Sequence, residues 1–216
     1  MKTVTKFPNL FIVDHPVIKD RLTNLRRKET PMEQFRQLLE EISHLMAYPV
    51  TEKMAVKNIE IETPMVKASL PVLANEGVVI IPVLRAGLGM VAGLHKIFPK
   101  ASIGHIGVYR DHDTHEPIEY LVRLPDNKDQ LYLVVDPMLA TGHSLAYAAD
   151  ILIRKGVRPE NIIFMVLLAS PEGVAYLQDK HPGIVIYTAA LDSHLNEKAY
   201  IIPGLGDAGD RLFGTN

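Results

Sequence analysis

The sequence contains no cysteine and no tryptophan, and its charges almost balance. Without cysteine the chain cannot form disulfides, thiolate metal sites or a cysteine nucleophile. It has 23 Lys and Arg residues against 25 Asp and Glu residues, a net charge of −2. A balance of this kind gives no basic surface for nucleic acid or for a membrane. We therefore expect a protein that binds neither.

Long apolar runs are also missing from the sequence. No run approaches the ~20 residues that a membrane-spanning helix needs, and the opening stretch "MKTVTKFPNLFIVDHP" lacks the apolar segment of a secretory signal. The 216 residues, 47% of them hydrophobic, suffice for the core of one domain. We expect a single-domain, cytoplasmic protein.

Short aliphatic runs dominate the sequence after residue 77. They read VVIIPVL (78–84), IGHIGVY (103–109), LYLVV (131–135), IIFMVLL (162–168) and IVIYTAA (184–190). Such nearly unbroken runs indicate strands that are covered on both faces. The segments predicted as helices between them are GMVAGLHKIF (89–98), SLAYAADILIRKG (144–156) and PEGVAYLQDK (171–180). This alternation predicts an α/β fold, a parallel sheet flanked by helices, with the ligand at the carboxyl edge of the strands.

The two ends of the chain do not follow this alternation. Thr30 with Glu33 fits a capping box, and Pro31 falls at the first helical position. The apolar residues that follow at helical spacing predict one buried face, made of Phe35, Leu38, Leu39, Ile42, Leu45 and Met46. We place the core at about residues 70–190. Residues 1–69 and 191–216 form a small hood and an arm, with a hairpin that includes "AVKNIEIETP" (55–64).

The most informative stretch is "VVDPMLATGHS", residues 134–144. We predict that a strand ends there, that Asp136 and Pro137 turn the chain, and that residues 140–144, the phosphate loop, open a helix. Free N–H groups at a helix start attract phosphate. Charge-assisted hydrogen bonds of roughly 1.5–3 kcal/mol each matter more there than the helix dipole at ~0.3–1 kcal/mol. Thr141 and Ser144 add hydroxyls, whereas the Walker A spacing is absent. The plain alternative is a turn followed by a capped helix.

This stretch resembles the phosphoribosyl-diphosphate (PRPP) motif of type I phosphoribosyltransferases, and "DPMLATG" resembles its uracil phosphoribosyltransferase version. The resemblance implies transfer of ribose 5-phosphate from PRPP to uracil, giving UMP and diphosphate in pyrimidine salvage, with Mg²⁺ as cofactor. It assigns PRPP binding to Asp136, Pro137, Met138, Leu139, Ala140, Thr141, Gly142, His143 and Ser144.

His143 departs from the family pattern, which usually has glycine at this position. A side chain here needs an acceptable φ and enough room beside the phosphate. We expect the ring to point into solvent. The alternative is a donor to the phosphate whose charge changes near neutral pH.

Two arginines follow predicted strands. "VVIIPVLRAGLGM" with Arg85 resembles the family's pyrophosphate loop, and Arg110 in "GVYRDHDTHEP" matches its second PRPP-binding arginine. The resemblance makes Arg85, Arg110, Asp136 and Asp207 the expected catalytic residues. His112 and His115 invite a metal interpretation, but no third ligand is placed beside them, so we assign no metal to the protein alone.

The C-terminal stretch "AYIIPGLGDAGDRLFGT" (199–215) has glycines that allow main-chain groups to approach a flat ligand. A glycine-rich turn without a ligand is the plain alternative. By resemblance, the uracil-binding residues are Ile201, Gly206, Asp207 and Ala208, and Asp207 also contacts PRPP.

The resemblance covers nearly the whole chain, including "DHPVIKDRLTNLR" (14–26), to which we assign no site. It implies a homodimer or homotetramer and GTP as an activator. Two other interpretations stay open. One is a nucleotide-sensing regulator that binds RNA, which the lack of a basic surface disfavours. The other is a purine phosphoribosyltransferase, which the 199–215 match disfavours.

Overall fold

The computed structural model describes residues 1–75, 77–110 and 117–215. Its α-helices are α1 (Pro16–Arg26), α2 (Met32–Val50), α3 (Leu88–Ile97), α4 (His143–Arg154), α5 (Pro171–Lys180) and α6 (Ala208–Phe213). Its strands are β1 (Lys2–Val4), β2 (Phe7–Ile12), β3 (Val56–Glu62), β4 (Lys67–Leu73), β5 (Val78–Leu84), β6 (Ser102–Ile103), β7 (His105–Arg110), β8 (Pro117–Arg123), β9 (Leu131–Leu139), β10 (Ile162–Ala169), β11 (Val185–Leu191), β12 (His194–Leu195) and β13 (Ile201–Ile202). In these ranges, none of the helices combines the length and apolar character that crossing a membrane would need.

The main sheet has the strand order β1-β2-β11-β10-β9-β5-β7-β8, with β6 beside β5. Its strands pair in parallel from β2 to β7. β1 and β8 pair antiparallel at the two edges. The predicted α/β fold with a parallel sheet is therefore confirmed. Because the chain order reverses between β5 and β9, their connections diverge and leave a crevice at the carboxyl edge.

Both faces of this sheet are covered. Alternate residues of one strand enter different apolar clusters: Val78 and Ile80 pack with α1, α2 and α3, whereas Val79 and Ile81 pack with α4 and α5. This explains the unbroken apolar runs. The predicted face of α2 is buried, apart from the half-buried Leu45.

The predicted capping box is wrong. The helix α2 begins at Met32 with Pro31 as its N-cap, and no side chain caps it. The Thr30 hydroxyl instead donates to the Asn24 carbonyl at 2.6 Å. The connection between α1 and α2 turns the Thr30 side chain toward α1. Its hydroxyl therefore bonds to α1 and does not cap α2.

The predicted turn at Asp136 and Pro137 is also wrong, because β9 continues to Leu139. Pairing with β10 extends to the last residue of the strand. Pairing with β5 ends at Val135. Beyond that point β9 is paired on one side, where proline is tolerated because fewer ladder hydrogen bonds depend on its missing N–H.

The N-terminal region divides between two structures. Residues 1–69 were all expected in the hood and arm, but β1 and β2 extend the main sheet beside β11. The apolar residues Phe7 and Leu10 are buried there, which accounts for the difference. The predicted hairpin is confirmed: β3 and β4 pair antiparallel from Val56↔Leu73 to Glu62↔Lys67 and form the arm, a ribbon apart from the main sheet.

Candidate active site

A cavity of about 360 Å³ opens at the carboxyl edge of the sheet, where β5 and β9 diverge. Three parts of the chain line it: Ala86, which lies shortly after β5; the end of β9 with the start of the phosphate loop; and the C-terminal stretch. The lining residues are Ala86, Asp136, Met138, Ala140, Thr141, Lys198, Ala199, Tyr200, Ile201, Gly206, Asp207, Ala208 and Gly209. Three segments that lie 50 or more residues apart in sequence therefore share one cavity, and each of them contains or adjoins residues that the sequence predicted for the site.

Asp136 is the most perturbed acid of this cavity. Burial raises its pKa to about 7; a hydrogen bond from the Met138 N–H opposes the shift, and the Asp207 charge adds to it. The Met138 N–H donates to Asp136 Oδ1 at 3.1 Å. Asp207 caps α6, where its Oδ1 accepts from the Asp210 N–H at 2.9 Å. Two carboxylates that face one cavity repel each other, so a cation between them would be stabilised.

This pair fits Mg²⁺ in its chemistry. Mg²⁺ prefers oxygen ligands and usually keeps several waters and substrate oxygens, with only one or two protein carboxylates. In residues 1–75, 77–110 and 117–215, no group of three or more His, Asp or Glu side chains is arranged for a metal. Asp136 and Asp207 could therefore hold Mg²⁺ together with a substrate, but not as a cage of their own.

The phosphate loop owes its shape to Gly142. This residue is the N-cap of α4 with φ 85°, a left-handed conformation that favours glycine. A Cβ on Gly142 would lie 2.7 Å from the Gly173 carbonyl oxygen. The chain thus turns tightly into α4, and the first main-chain N–H groups of the helix have no partner within the helix itself.

The start of α5 supports this loop from behind. The Ser170 hydroxyl donates to the Ala140 carbonyl at 2.5 Å and accepts from the Gly173 N–H at 2.9 Å. The Ser170 N–H donates to the Leu139 carbonyl at 2.9 Å. Sequence reasoning missed this role of Ser170. Its place before "PEG" could have indicated a helix cap, but not the contact with Ala140.

The other residues predicted in this stretch lie outside the cavity lining. Pro137 and Leu139 are buried within the sheet, and Gly142, His143 and Ser144 lie at the start of α4. The expectation that His143 points into solvent is wrong. Its half-buried ring packs edge-on against Tyr176 of α5, with ring centroids 4.3 Å apart and an interplanar angle of 82°.

Arg85 lies at the rim and leans toward α6. Its Nη2 is 3.6 Å from Asp210 Oδ1, and its Nη1 donates to Thr215 Oγ1 at 3.4 Å. The guanidinium carbon is 5.9 Å from the centre of the Phe213 ring. Next to it, Gly87 allows close packing, because a Cβ there would lie 2.4 Å from the Val135 carbonyl oxygen.

Three residues singled out in the sequence have side chains outside the described part of the chain. Arg110 ends β7, but its side chain is outside the described part of the chain, as are His112 and His115. Sequence reasoning also missed two exposed residues of the cavity, Lys198 and Tyr200. They sit in an ordinary polar turn, which carries no signal of a binding role.

A helix start at a left-handed glycine, a carboxylate pair and a glycine-rich loop meet at the carboxyl edge of a parallel sheet, the arrangement that the resemblance to type I phosphoribosyltransferases implies. The family model described as uracil phosphoribosyltransferase matches residues 12–215, and the chain belongs to that family. The family predicted from the motifs is confirmed.

Individual relatives agree with this assignment over the whole length. Proteins named uracil phosphoribosyltransferase from Burkholderia thailandensis and Burkholderia pseudomallei are 54% identical over 215 residues, covering 100% of this chain and 99% of theirs. The solved structure of the AQ2163 protein from Aquifex aeolicus is 32% identical, with a TM-score of 0.89 over 96% of this chain and 99% of that one.

Proposed function

We propose that this protein is a pyrimidine-salvage enzyme that transfers ribose 5-phosphate from PRPP to uracil, giving UMP and diphosphate. The observation that carries the proposal is the single cavity in which the phosphate loop and Asp136 face Gly206 and Asp207. Membership of the uracil phosphoribosyltransferase family supports uracil as the base. It disfavours both the RNA-binding regulator and the purine enzyme.

On the sugar side, the phosphate loop binds the 5-phosphate. Main-chain N–H groups at the start of α4 and the hydroxyls of Thr141 and Ser144 are the donors. The main chain of Pro137 to Ala140 leads β9 into this loop. Asp136, at the floor of the cavity, accepts from the ribose hydroxyls when its carboxyl is ionised.

On the leaving-group side, the C1–O bond to diphosphate breaks with its electron pair staying on the diphosphate oxygen. C1 gains positive charge and bonds to uracil N1, which releases its proton. Cationic groups near the departing oxygens stabilise the growing negative charge, and we assign this task to Arg85 and Arg110. Arg85 can turn from the hood at little cost, because its contacts with Asp210 and Thr215 are long and its side chain is 57% exposed. Mg²⁺, held by Asp136 and Asp207 with PRPP oxygens, would offset the diphosphate charge.

On the base side, uracil meets the main chain of Ile201 and the turn Gly206-Asp207-Ala208. Uracil presents carbonyl acceptors on either side of an N–H donor, which main-chain groups of both kinds can match. Gly206 has φ 82°, and a Cβ there would meet nothing closer than 3.9 Å, so the backbone is open to a flat ligand. Holding uracil N1 in line with C1 is itself a large contribution to rate.

The proposal is tested by supplying the purified protein with labelled uracil, PRPP and Mg²⁺. We expect UMP and diphosphate in equal amounts, with the rate lost when a chelator removes Mg²⁺. Adenine, hypoxanthine and guanine in place of uracil should give no nucleotide, and salt-sensitive RNA binding should be absent. Folded protein that makes no UMP under these conditions would contradict the proposed function.

We also propose a cytoplasmic homodimer or homotetramer that GTP activates. The arm supports a self-association surface, because it exposes the apolar side chains of Val56, Ile59, Ile61, Met65, Val66 and Leu70. GTP activation rests on the family resemblance alone. Sedimentation velocity with and without GTP, beside the UMP assay, measures both properties; a monomer indifferent to GTP would contradict them.

For His143, we expect that His143→Gly changes the KM for PRPP less than about twofold at both pH 6 and pH 8. The ring faces Tyr176, and the backbone N–H survives the substitution. Stability should fall by about 1–2 kcal/mol, since an edge-on ring contact contributes ~0.5–1.5 kcal/mol and glycine disfavours helix. Urea unfolding measures this, with His143→Phe as the control that keeps a ring. A KM that rises mainly at low pH would show a phosphate contact instead.

A further inference from the structure

A largely buried ion pair joins Arg26, at the end of α1, to Asp192, the residue after β11, and both residues contact the loop that follows β13. Arg26 donates from Nη2 to Asp192 Oδ1 at 2.6 Å and from Nη1 to Asp192 Oδ2 at 2.7 Å. The same Nη1 donates to the Gly204 carbonyl at 2.8 Å. The Gly204 N–H donates to Asp192 Oδ2 at 2.9 Å. The Asp192 side chain is 5% exposed and that of Arg26 is 21% exposed.

A second arginine holds the next carbonyl of the loop. Arg211, on α6, donates from Nη1 to the Leu205 carbonyl at 2.9 Å and from Nη2 to the Arg27 carbonyl at 2.6 Å. Its guanidinium carbon lies 4.6 Å from the centre of the Phe35 ring on α2. Two consecutive carbonyls of the loop, those of Gly204 and Leu205, are therefore each fixed by an arginine.

Stability alone is a weak explanation for such a group. Taking a charge pair out of water costs free energy that its attraction often only offsets, and apolar packing can be as stabilising. A bidentate pair does fix geometry, because the planar guanidinium and the carboxylate match in only a few orientations. Asp192 follows β11 directly, so the pair ties this geometry to the rigid sheet.

The held residues lie inside the segment assigned to uracil. Gly204 has φ 60°, and a Cβ on it would lie 2.0 Å from the Ile201 carbonyl oxygen, so the turn is folded tightly onto Ile201. Gly206 follows two residues later and lines the cavity with Ile201. A shift of Gly204 would therefore move both main-chain partners of the base, while the phosphate loop lies on a different part of the sheet edge.

We propose that Arg26, Asp192 and Arg211 are positioning residues for the base: they fix the loop between Ile201 and Ala208 through Gly204 and Leu205. None of them lines the cavity. The inference rests on the proposed function, because it assigns the loop to uracil. Arg26 lies in the N-terminal stretch 14–26, to which no site was assigned from the sequence.

The test compares the KM values of the two substrates in Arg26→Lys and Asp192→Asn. Lysine keeps the charge but cannot make three hydrogen bonds in one plane, and asparagine keeps the size but loses the charge. We expect the KM for uracil to rise at least tenfold, while the KM for PRPP changes less than twofold. The matched control is Arg21→Lys on the same helix, where the arginine pairs with Asp20 and Glu41. Both KM values should stay unchanged in this control.

The outcomes separate this inference from the proposed function. Wild-type protein without UMP formation overturns the proposed function. Active wild-type protein with an unchanged uracil KM in both variants overturns the positioning role. An equal rise of both KM values, or loss of PRPP binding in calorimetry, also overturns it, because a general structural defect would act this way. Arg211→Lys is an independent test variant, for which we expect the same selective rise in the KM for uracil.

Discussion

Asp136→Asn is expected to lower kcat/KM for PRPP by about 100- to 1000-fold, the range typical for loss of one preorganised electrostatic group. The asparagine keeps an acceptor for the Met138 N–H, so the end of β9 should retain its shape. It cannot carry the negative charge that the proposed mechanism uses beside the ribose and Mg²⁺. The KM for uracil should change much less. Steady-state kinetics with each substrate varied in turn measures the difference.

The same substitution should make the free protein more stable at pH 8. The pKa of Asp136 is raised from 3.8 to about 7, so between these values the unfolded chain loses the proton that the folded protein keeps. Wild-type stability therefore falls as pH rises through this window, and above pH 7 the full penalty of the buried charge is present. Since the side chain is partly exposed, we expect a gain on the order of 2 kcal/mol for Asp136→Asn at pH 8, shrinking toward pH 4.

Affinity for PRPP has the opposite dependence on pH. Below pH 7 the free wild-type protein holds a proton on Asp136, which must leave before the carboxylate can take part in binding. Affinity for PRPP with Mg²⁺ should therefore weaken as pH falls from 8 to 6, and this slope should be smaller in Asp136→Asn, where only the substrate phosphates titrate. Asp129→Asn, whose side chain is 90% exposed just before β9, is the control. A variant as active as this control would refute the assignment of Asp136.

Gly173→Ala, on α5, is expected to displace the phosphate loop and so weaken PRPP binding. A Cβ on Gly173 would lie 2.2 Å from the Ala140 carbonyl oxygen and 3.0 Å from that of Leu139. Neither backbone group can move without shifting the loop or α5. Overpacking of this kind typically costs 1–3 kcal/mol, so we expect about 2 kcal/mol lower stability. The KM for PRPP should rise at least tenfold, because the displaced carbonyl sets the direction of the loop into α4.

Gly183→Ala is the matched control for this substitution. It lies shortly after α5, and the nearest atom to its Cβ would be Pro159 Cβ at 4.0 Å. The same chemical change should therefore leave stability and both KM values near those of the wild type. If Gly173→Ala matched Gly183→Ala in kinetics and urea unfolding, contact with α5 would not determine the conformation of the phosphate loop.

The sequence predicted those parts of the fold that depend on residues close together in the chain. The apolar run 78–84 coincides with β5, and α5 begins and ends at the predicted residues, 171 and 180. The phosphate loop and the segment around Gly206 share the cavity that their motifs predicted. Local composition was enough for the sheet edge, because the crossover rule places the carboxyl ends of parallel strands at one edge. The role of the segment around Gly206 came from the family resemblance.

The errors arise where a contact distant in sequence decides between local options. Asp136 and Pro137 were predicted to form a turn, but pairing with β10 keeps them in β9. His143 read as exposed, but Tyr176, on the neighbouring helix, covers its ring. Arg26 was assigned no site, although Asp192, 166 residues away, accepts its hydrogen bonds. None of these partners can be recognised from the residues beside them.

The same long-range contacts bear on how the polypeptide acquires its structure during translation. Arg26 and Arg36 donate hydrogen bonds to residues that lie 166 to 178 positions later in the chain: Asp192, Gly204 and Leu212. Contacts of such high separation form slowly, since a large loop must close first. Until then, the apolar side of α1, with Ile18, Leu22 and Leu25, lacks its final C-terminal neighbours. The loop proposed for the base can therefore be fixed only after the C-terminal helix α6 has been synthesised.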